Sequence, residues 1–251
     1  MQAHELSNIL FIDIETVSQF ATFGELDDTF KDLWRQKTKQ LLKKYDSDTA
    51  TADTDAAEQY GRAAIYAEFG KIICISVGRL TEKEGEWTLH LKSFAHHDEA
   101  TLLQEFAEML AKRYAKAENF AFCGHNIKEF DLPYMCRRFL INNLPLPNML
   151  DLAGKKPWEI KHLDTLEMWK FGDIKSYTSL KLLAAVFGIP SPKGDIDGSQ
   201  VGRVYWEEND LARIAVYCEK DVLTVAQLLL RLRNLPLLAT EQIKHQPLSL
   251  E

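Results

Sequence analysis

Residues 8–16 read NILFIDIET, and this stretch decides the fold. The apolar run from Ile9 to Ile12 predicts a β-strand buried on both faces of a sheet. The run continues directly into Asp13 and Glu15. Two residues apart on a strand, these side chains point to the same side and lie about 6.6 Å apart along it. Like charges inside a core are costly without a positive partner, so the end of this strand requires one.

The segments that follow predict a mixed sheet covered by helices. Further strands are expected at 71–80, 87–94 and 120–123, helices at 98–115, 132–142, 179–187 and 207–232, and polar loops at 144–158 and 190–202. Strands come first and helices later, and one helix crosses over between the third and fourth strands. The predicted class is therefore α/β, with a mixed central sheet flanked by helices.

Residues 22–68 differ in composition from the rest of the chain. They are polar, rich in Asp, Lys, Gln and Thr, and show helical spacing of apolar residues over 30–42. The segment predicts a mostly helical insertion with a loose stretch near 46–57. We expect residues 1–251 to form one domain that carries this insertion, and residues 250–251 to be a cloning remnant.

Charge and cysteine content restrict the class of protein. The net charge of −7 is not typical of a protein that coats long nucleic acid, which usually needs a broad basic face. It is compatible with a protein that takes one chain end into a metal-filled cleft. The four cysteines form no CxxC pair, which favours reduced thiols and a cytoplasmic location. No membrane span or secretory leader is expected.

Two more carboxylates interrupt apolar patterns. Asp131 follows the strand predicted at 120–123 and precedes a helix, where a capping role is one interpretation. Asp221 lies on the apolar stripe of the last predicted helix, where an aliphatic residue is expected, and no Lys or Arg follows or precedes it by three or four residues. Tyr217 lies one turn earlier on the same helix.

Convergence on divalent metal explains all four carboxylates together. Carboxylate ligands without His or Cys suit Mg²⁺ or Mn²⁺ better than Zn²⁺. Four carboxylates also balance the charge of two dications, the arrangement used in two-metal phosphoryl transfer. The candidate metal ligands are Asp13, Glu15, Asp131 and Asp221.

Three motifs carry a resemblance to a known superfamily: D-I-E at 13–15, N-x-x-x-F-D at 126–131 and Y-x-x-x-D at 217–221. They resemble the motifs of the DEDD 3′→5′ exonucleases. The Tyr four residues before the last Asp is similar to the Tyr-type branch. FIDIET at 11–16 and CGHNIKEFDLPYMCRR at 123–138 resemble the exonuclease domain of family-B DNA polymerases, in its stand-alone bacterial form.

The resemblance implies a ribonuclease H-like fold and a role for each site residue. Asp13 would bridge two metals, Glu15 and Asp221 would bind the metal that activates water, and Asp131 would bind the other. Tyr217 would orient the attacking water. For substrate binding the resemblance implies Thr16, Asn126 and Phe130, with Phe130 a candidate to stack on the terminal base.

The implied substrate is the 3′ end of single-stranded nucleic acid, with DNA favoured over RNA. Two alternatives stay open. One is a nucleic-acid-binding or scaffolding module of the same fold with little turnover. The other is an RNase D-like RNA exonuclease, although that family usually has Asp-Thr-Glu in the first motif. No feature of the sequence identifies a protein partner.

Overall fold

The structure is a computed structural model that describes residues 6–43, 49–114, 119–173, 175, 177–190 and 196–248. The strands are β1 (Ile9–Ser18), β2 (Gly70–Lys83), β3 (Glu86–Ala95), β4 (Ala121–Gly124), β5 (Leu163–Asp164) and β6 (Ile243–His245). The helices are α1 (Asp28–Leu42), α2 (Thr49–Glu58), α3 (Glu99–Tyr114), α4 (Asp131–Ile141), α5 (Thr165–Lys170), α6 (Leu180–Val186), α7 (Val201–Trp206) and α8 (Leu211–Leu232).

All six strands form one sheet in the order β5-β4-β1-β2-β3-β6. β1 lies inside the sheet, antiparallel to β2 and parallel to β4. β3 is antiparallel to β2, and the outer strands β5 and β6 are each parallel to their neighbours. β2 is thus the one strand that runs against the other five. This mixed sheet confirms the predicted α/β class and ribonuclease H-like architecture.

Alternate residues of β1 enter two separate cores. Leu10, Ile12 and Ile14 pack on one face among buried side chains of α3 and α4. Ile9 and Phe11 pack on the opposite face against α8. Because the side-chain period of a strand is two, Asp13 and Glu15 continue the face that α8 covers. None of the described helices combines the length and apolar character needed to cross a membrane.

The last predicted helix, at 207–232, is shorter than expected. The helix begins at Leu211 because the Asp210 side chain caps it, accepting a hydrogen bond from the Arg213 N–H at 3.0 Å. Part of the polar loop expected at 190–202 is helical instead, since α7 begins at Val201. Residues 191–195 of that loop lie outside the described residues.

The prediction of a loose stretch near 46–57 is wrong for most of these residues. Residues Thr49–Glu58 form α2, and a 3₁₀ helix, Tyr60–Ile65, follows it. Buried Trp34 of α1 donates its indole N–H to the Ala56 carbonyl at 2.9 Å, which ties the two helices together. Residues 44–48 lie outside the described part of the chain.

Candidate metal centre

β1 presents Asp13 and Glu15 within its hydrogen-bonded ladder, directly before an irregularity in the pairing. Asp13 is paired with Ser76 of β2 and Glu15 with Cys74. The register shifts directly after Glu15, which marks a β-bulge. A bulge bends and twists a strand and redirects its side chains, and bulges are common beside active sites. Here it interrupts the pairing immediately after the second carboxylate, and the pairing with β2 resumes from Thr16 to Ser18.

Asp131 joins this pair from the other core. It is the first residue of α4, and its Oδ1 accepts a hydrogen bond from the Ile14 N–H at 3.2 Å. That N–H lies between the two acids of β1 in the chain. Asp131 is only 4% exposed. The capping interpretation is therefore replaced by a contact with β1, because Phe130 occupies the residue before the helix.

α8 supplies Asp221 and Tyr217 from the opposite side of the sheet. Tyr217 and Asp221 lie one turn apart on this helix and interact electrostatically: burial and then the charge of Asp221 raise the pKa of the Tyr217 hydroxyl, and the hydroxyl partly offsets the rise in the pKa of Asp221. The negative charge of Asp221 raises the pKa of both Asp13 and Glu15, so the helix brings it close to these two acids of β1. The structure thus brings Asp131, Asp221 and Tyr217 into interaction with the two acids of β1, although among the described residues the ligand atoms that lie within 4.8 Å of one another are those of Asp13, Glu15 and Cys218.

Burial and mutual repulsion perturb the whole cluster. Burial, followed by the charges of the other three acids, raises the pKa of Asp13 well above its usual range. Burial and then Asp221 do the same for Glu15. Burial raises the pKa of Asp131 to about 7 and that of Asp221 to about 6. Within the described residues, no Lys or Arg forms an ion pair with any of the four.

This cluster fits divalent metal in its donor chemistry. Buried carboxylates without a cationic side chain are destabilising by themselves, and a bound dication removes that penalty. Ligand atoms of Asp13, Glu15 and Cys218 lie within 4.8 Å of one another. Oxygen-rich sites favour Mg²⁺ or Mn²⁺.

A cleft of about 630 Å³ opens beside the cluster. Glu15, Thr16 and Phe130 line it on the side of β1 and α4. Its other described walls come from the 3₁₀ helix and from α7 with the turn before it, and include Arg62, Ile65, Ser199, Arg203 and Trp206. The Thr16 hydroxyl donates to the Ala64 carbonyl at 2.9 Å and so fixes the 3₁₀ wall to β1.

Residues 65–245 match the family described as "predicted 3′-5′ exonuclease related to the exonuclease domain of PolB". The chain belongs to this family. The relationship to the exonuclease domain of family-B polymerases, predicted from the motifs, is thereby confirmed.

One solved structure similar to this exonuclease-family chain is the family B DNA polymerase of the hyperthermophilic archaeon Pyrobaculum calidifontis. The two are 16% identical, with a TM-score of 0.49. The match covers 88% of this chain and 24% of the polymerase, so the family member spans about a quarter of the polymerase's length. A comparison with curated proteins finds no relative.

Asn126 lies outside the described lining of the cleft, although the sequence predicts it as a substrate-binding residue of this exonuclease-family chain. Its backbone has a φ of 67°, a left-handed conformation that Asn tolerates better than most residues. Its N–H donates to Asp164 Oδ1 at 2.9 Å, and the Lys128 N–H donates to Asp164 Oδ2 at 3.1 Å. Asn126 therefore shapes the turn that leads to Phe130 and Asp131.

Asp164 and Cys218 are site neighbours that the motifs do not identify. Asp164 caps α5, as its position before Thr165 predicts, and also holds the turn at 126–128. The Cys218 thiol donates to Asp13 Oδ2 at 3.3 Å, which partly offsets the rise in the pKa of Asp13. The sequence signal for Cys218 is its position next to Tyr217, on the stripe that faces the sheet.

Proposed function

We propose that this protein is a metal-dependent 3′→5′ exonuclease that releases nucleoside monophosphates from single-stranded ends, with DNA favoured over RNA. One observation carries the proposal: carboxylates from three distant segments interact around Asp13 and Glu15 of β1, beside an open cleft. Membership of a family described as predicted 3′-5′ exonucleases supports the same activity.

Asp13, Glu15, Asp131 and Asp221 would hold two Mg²⁺ or Mn²⁺ ions. Bound there, the ions would supply Lewis acidity, which acidifies water and stabilises charge on the leaving 3′-oxygen. The carboxylates would fix the position of this chemistry because three separate elements hold them: β1 carries two, and the helices at Asp131 and Asp221 carry one each. The hydrogen bond from the Ile14 N–H orients Asp131.

Tyr217 would act as a hydrogen-bond donor and not as a base. Burial and the neighbouring carboxylates raise the pKa of its hydroxyl far above the ordinary value, so the hydroxyl stays protonated at neutral pH. A protonated hydroxyl beside Asp221 can form a hydrogen bond with a water molecule and fix its direction.

The cleft would hold the last nucleotides of the strand. Phe130 lines the cleft and is partly buried, with its ring packed against Tyr134 at 5.4 Å between centroids. An aromatic ring in this position can stack on the terminal base whichever of the four bases it is. Thr16 lines the same wall, next to Glu15.

Matched DNA and RNA oligonucleotides test the proposed function. Each carries a 5′ label and is incubated with the protein and Mg²⁺, Mn²⁺ or EDTA. We expect a ladder of products shortened from the 3′ end, formed faster on DNA and absent with EDTA. Faster shortening of RNA would favour the RNase D-like alternative. Strand binding without product over hours, with either metal, would favour a binding module.

Replacing Tyr217 by phenylalanine tests the role of the hydroxyl. We expect kcat to fall about 10- to 100-fold with little change in KM, because a group that orients water acts mainly in the transition state. The measurement is a steady-state nuclease assay on one oligonucleotide. Tyr177→Phe is a suitable control, since this tyrosine is exposed. Equal kcat values for Tyr217→Phe and wild type would remove Tyr217 from the mechanism.

A further inference from the structure

A second pocket, positively charged, lies on the α3 side of the sheet. It has a volume of about 150 Å³ and is lined by Arg79, His90, Lys92, Arg113, Tyr114 and Gln246, together with apolar side chains. We call it the Arg79 pocket. No carboxylate lines it among the described residues.

The cations of the Arg79 pocket face one another without anionic partners. Within the described part of the chain, Arg79, Lys92 and Arg113 take part in no ion pair. Burial, followed by the charges of Arg79, Lys244 and Arg113, lowers the pKa of His90. Strands β2 and β3 and helix α3 each place a cationic side chain on the wall of this pocket. Such repulsion is relieved when an anion binds.

The pocket is separate from the carboxylate cluster. Arg79 is paired in register with Leu10, and Asp13 with Ser76, three residues further along β2. That interval corresponds to about 10 Å along the strands. In addition, the pocket lies on the face of the sheet that Leu10 shares with α3, whereas Asp13 and Glu15 lie on the face that α8 covers.

The chemistry of the lining selects a phosphate group. Guanidinium groups bind phosphate oxygens through two parallel hydrogen bonds, and the pocket has two of them. A volume of 150 Å³ holds one phosphate and a few waters, each of which occupies roughly 30 Å³. The lining offers no pair of aromatic rings between which a base could lie. Contacts of this kind hold a nucleic-acid backbone without reading its sequence.

A neighbouring cavity connects the pocket to a longer surface. It has a volume of about 400 Å³ and shares Lys92, Met109 and Arg113 with the Arg79 pocket. Glu105, Glu108 and Lys112 of α3 also line it, so its charge is mixed. The pocket is therefore open at one side, so a nucleic-acid strand could continue beyond it. A site that binds only a mononucleotide would not need this opening.

We propose that the Arg79 pocket is a second phosphate-binding site, which takes one backbone phosphate of the nucleic-acid strand outside the cleft. The strand as ligand rests on the proposed function. The pocket adds affinity for a strand long enough to reach it and has no part in hydrolysis. Short substrates that fill only the cleft do not contact it.

Strand binding by an arginine double variant tests the proposal. The substitutions Arg79→Gln and Arg113→Gln are made in a Glu15→Gln background, which silences hydrolysis, and fluorescence anisotropy measures the affinity for a labelled single strand at several salt concentrations. We expect affinity to fall about tenfold at low salt, and the slope of log K against log salt to become shallower by about 0.7 for one lost phosphate contact. Arg137→Gln with Arg231→Gln removes the same charge elsewhere and should leave both values unchanged.

Hydrolysis of a small substrate separates this proposal from the proposed function. With Glu15 intact, the double variant should cleave the p-nitrophenyl ester of thymidine 5′-monophosphate as fast as the unsubstituted protein. If neither protein cleaves it or any strand, the exonuclease assignment fails, while the binding experiment still reports on the pocket. Unchanged strand affinity and salt slope in the double variant would overturn the proposal that the Arg79 pocket binds a backbone phosphate.

Free phosphate provides the last discriminating measurement. NMR of the His90 imidazole is followed during titration with inorganic phosphate, thymidine monophosphate or the single strand. We expect the strand to perturb the ring at lower concentrations than either small anion. Tighter binding of the mononucleotide would assign the pocket to free nucleotides and overturn the proposal. Melting temperatures show whether each variant is folded. The single variant Arg113→Gln changes an exposed residue and provides a second test of strand affinity.

Discussion

Glu15→Gln is expected to reduce the rate of nucleic-acid hydrolysis roughly a thousandfold, which corresponds to about 4 kcal/mol of transition-state stabilisation. Glutamine keeps the shape of the side chain but removes one of the four negative charges that would hold the metals. Asp13→Asn should have at least as large an effect, because Asp13 interacts with all three of the other acids. The measurement is the initial rate of strand shortening with saturating Mn²⁺.

The matched control for this prediction is Glu82→Gln. Glu82 lies near the end of β2 and is exposed, so the same chemical change there should leave the rate within a factor of two, roughly the range of ordinary surface substitutions. Far-UV circular dichroism confirms that each variant is folded. Wild-type rates for Glu15→Gln and Asp13→Asn, measured in folded protein, would show that the acid cluster is not the catalytic centre.

Asp221→Asn is expected to stabilise the metal-free protein at pH 8 while reducing its activity. Folding raises the pKa of Asp221 from 3.8 to about 6, so the folded state binds the proton more tightly than the unfolded state does. The stability contributed by the protonated form is complete below pH 4 and is lost as pH rises through about 6. Above both values the penalty is about 3 kcal/mol, and asparagine removes it.

Melting temperatures in EDTA measure this effect. A gain of about 3 kcal/mol corresponds to roughly 6–12 °C for a chain of this size. Asp131→Asn should act in the same direction, since the amide oxygen can still accept the hydrogen bond from Ile14 and the pKa of Asp131 is raised to about 7. Glu82→Gln should leave the melting temperature unchanged. A lower melting temperature for Asp221→Asn in EDTA would contradict the prediction.

Metal should cancel most of this difference in stability. At a concentration a hundred times its dissociation constant, a ligand bound only by the folded state adds about 2.7 kcal/mol. Mn²⁺ should therefore raise the melting temperature of the wild-type protein, and raise that of Asp221→Asn much less. The comparison distinguishes a metal site from a cluster of acids that is merely tolerated.

Local patterns predict most of the sheet and the four acids. The apolar run at Ile9–Ile12 is sufficient to predict β1, because a short continuous apolar run is typical of a strand buried on both faces. Glu84 and Gly85 form the turn between β2 and β3, and both have positive φ angles, as a type I′ hairpin requires. Asp221 can be recognised as a candidate site residue because it interrupts the apolar stripe of its helix. Such exceptions to a local pattern are expected at functional sites.

Features that depend on tertiary contacts are not predictable in this way. β5 has two residues and β6 three, too few for any alternation to be visible. The second role of Asp164 depends on a turn 36 to 38 residues earlier in the chain. The walls of the cleft come from the 3₁₀ helix and from α7, whose distances to the carboxylates no local pattern encodes.

The interior position of β1 has a consequence for any shortened form of the protein. The family match begins at residue 65, after this strand and after two of the four acids. A fragment cut at that boundary would keep β2 and β4 but lose the strand that both of them pair with. The facing edges of β2 and β4 would then be unpaired, and both cores would lose the side chains of β1. The family boundaries therefore do not delimit a unit that folds by itself.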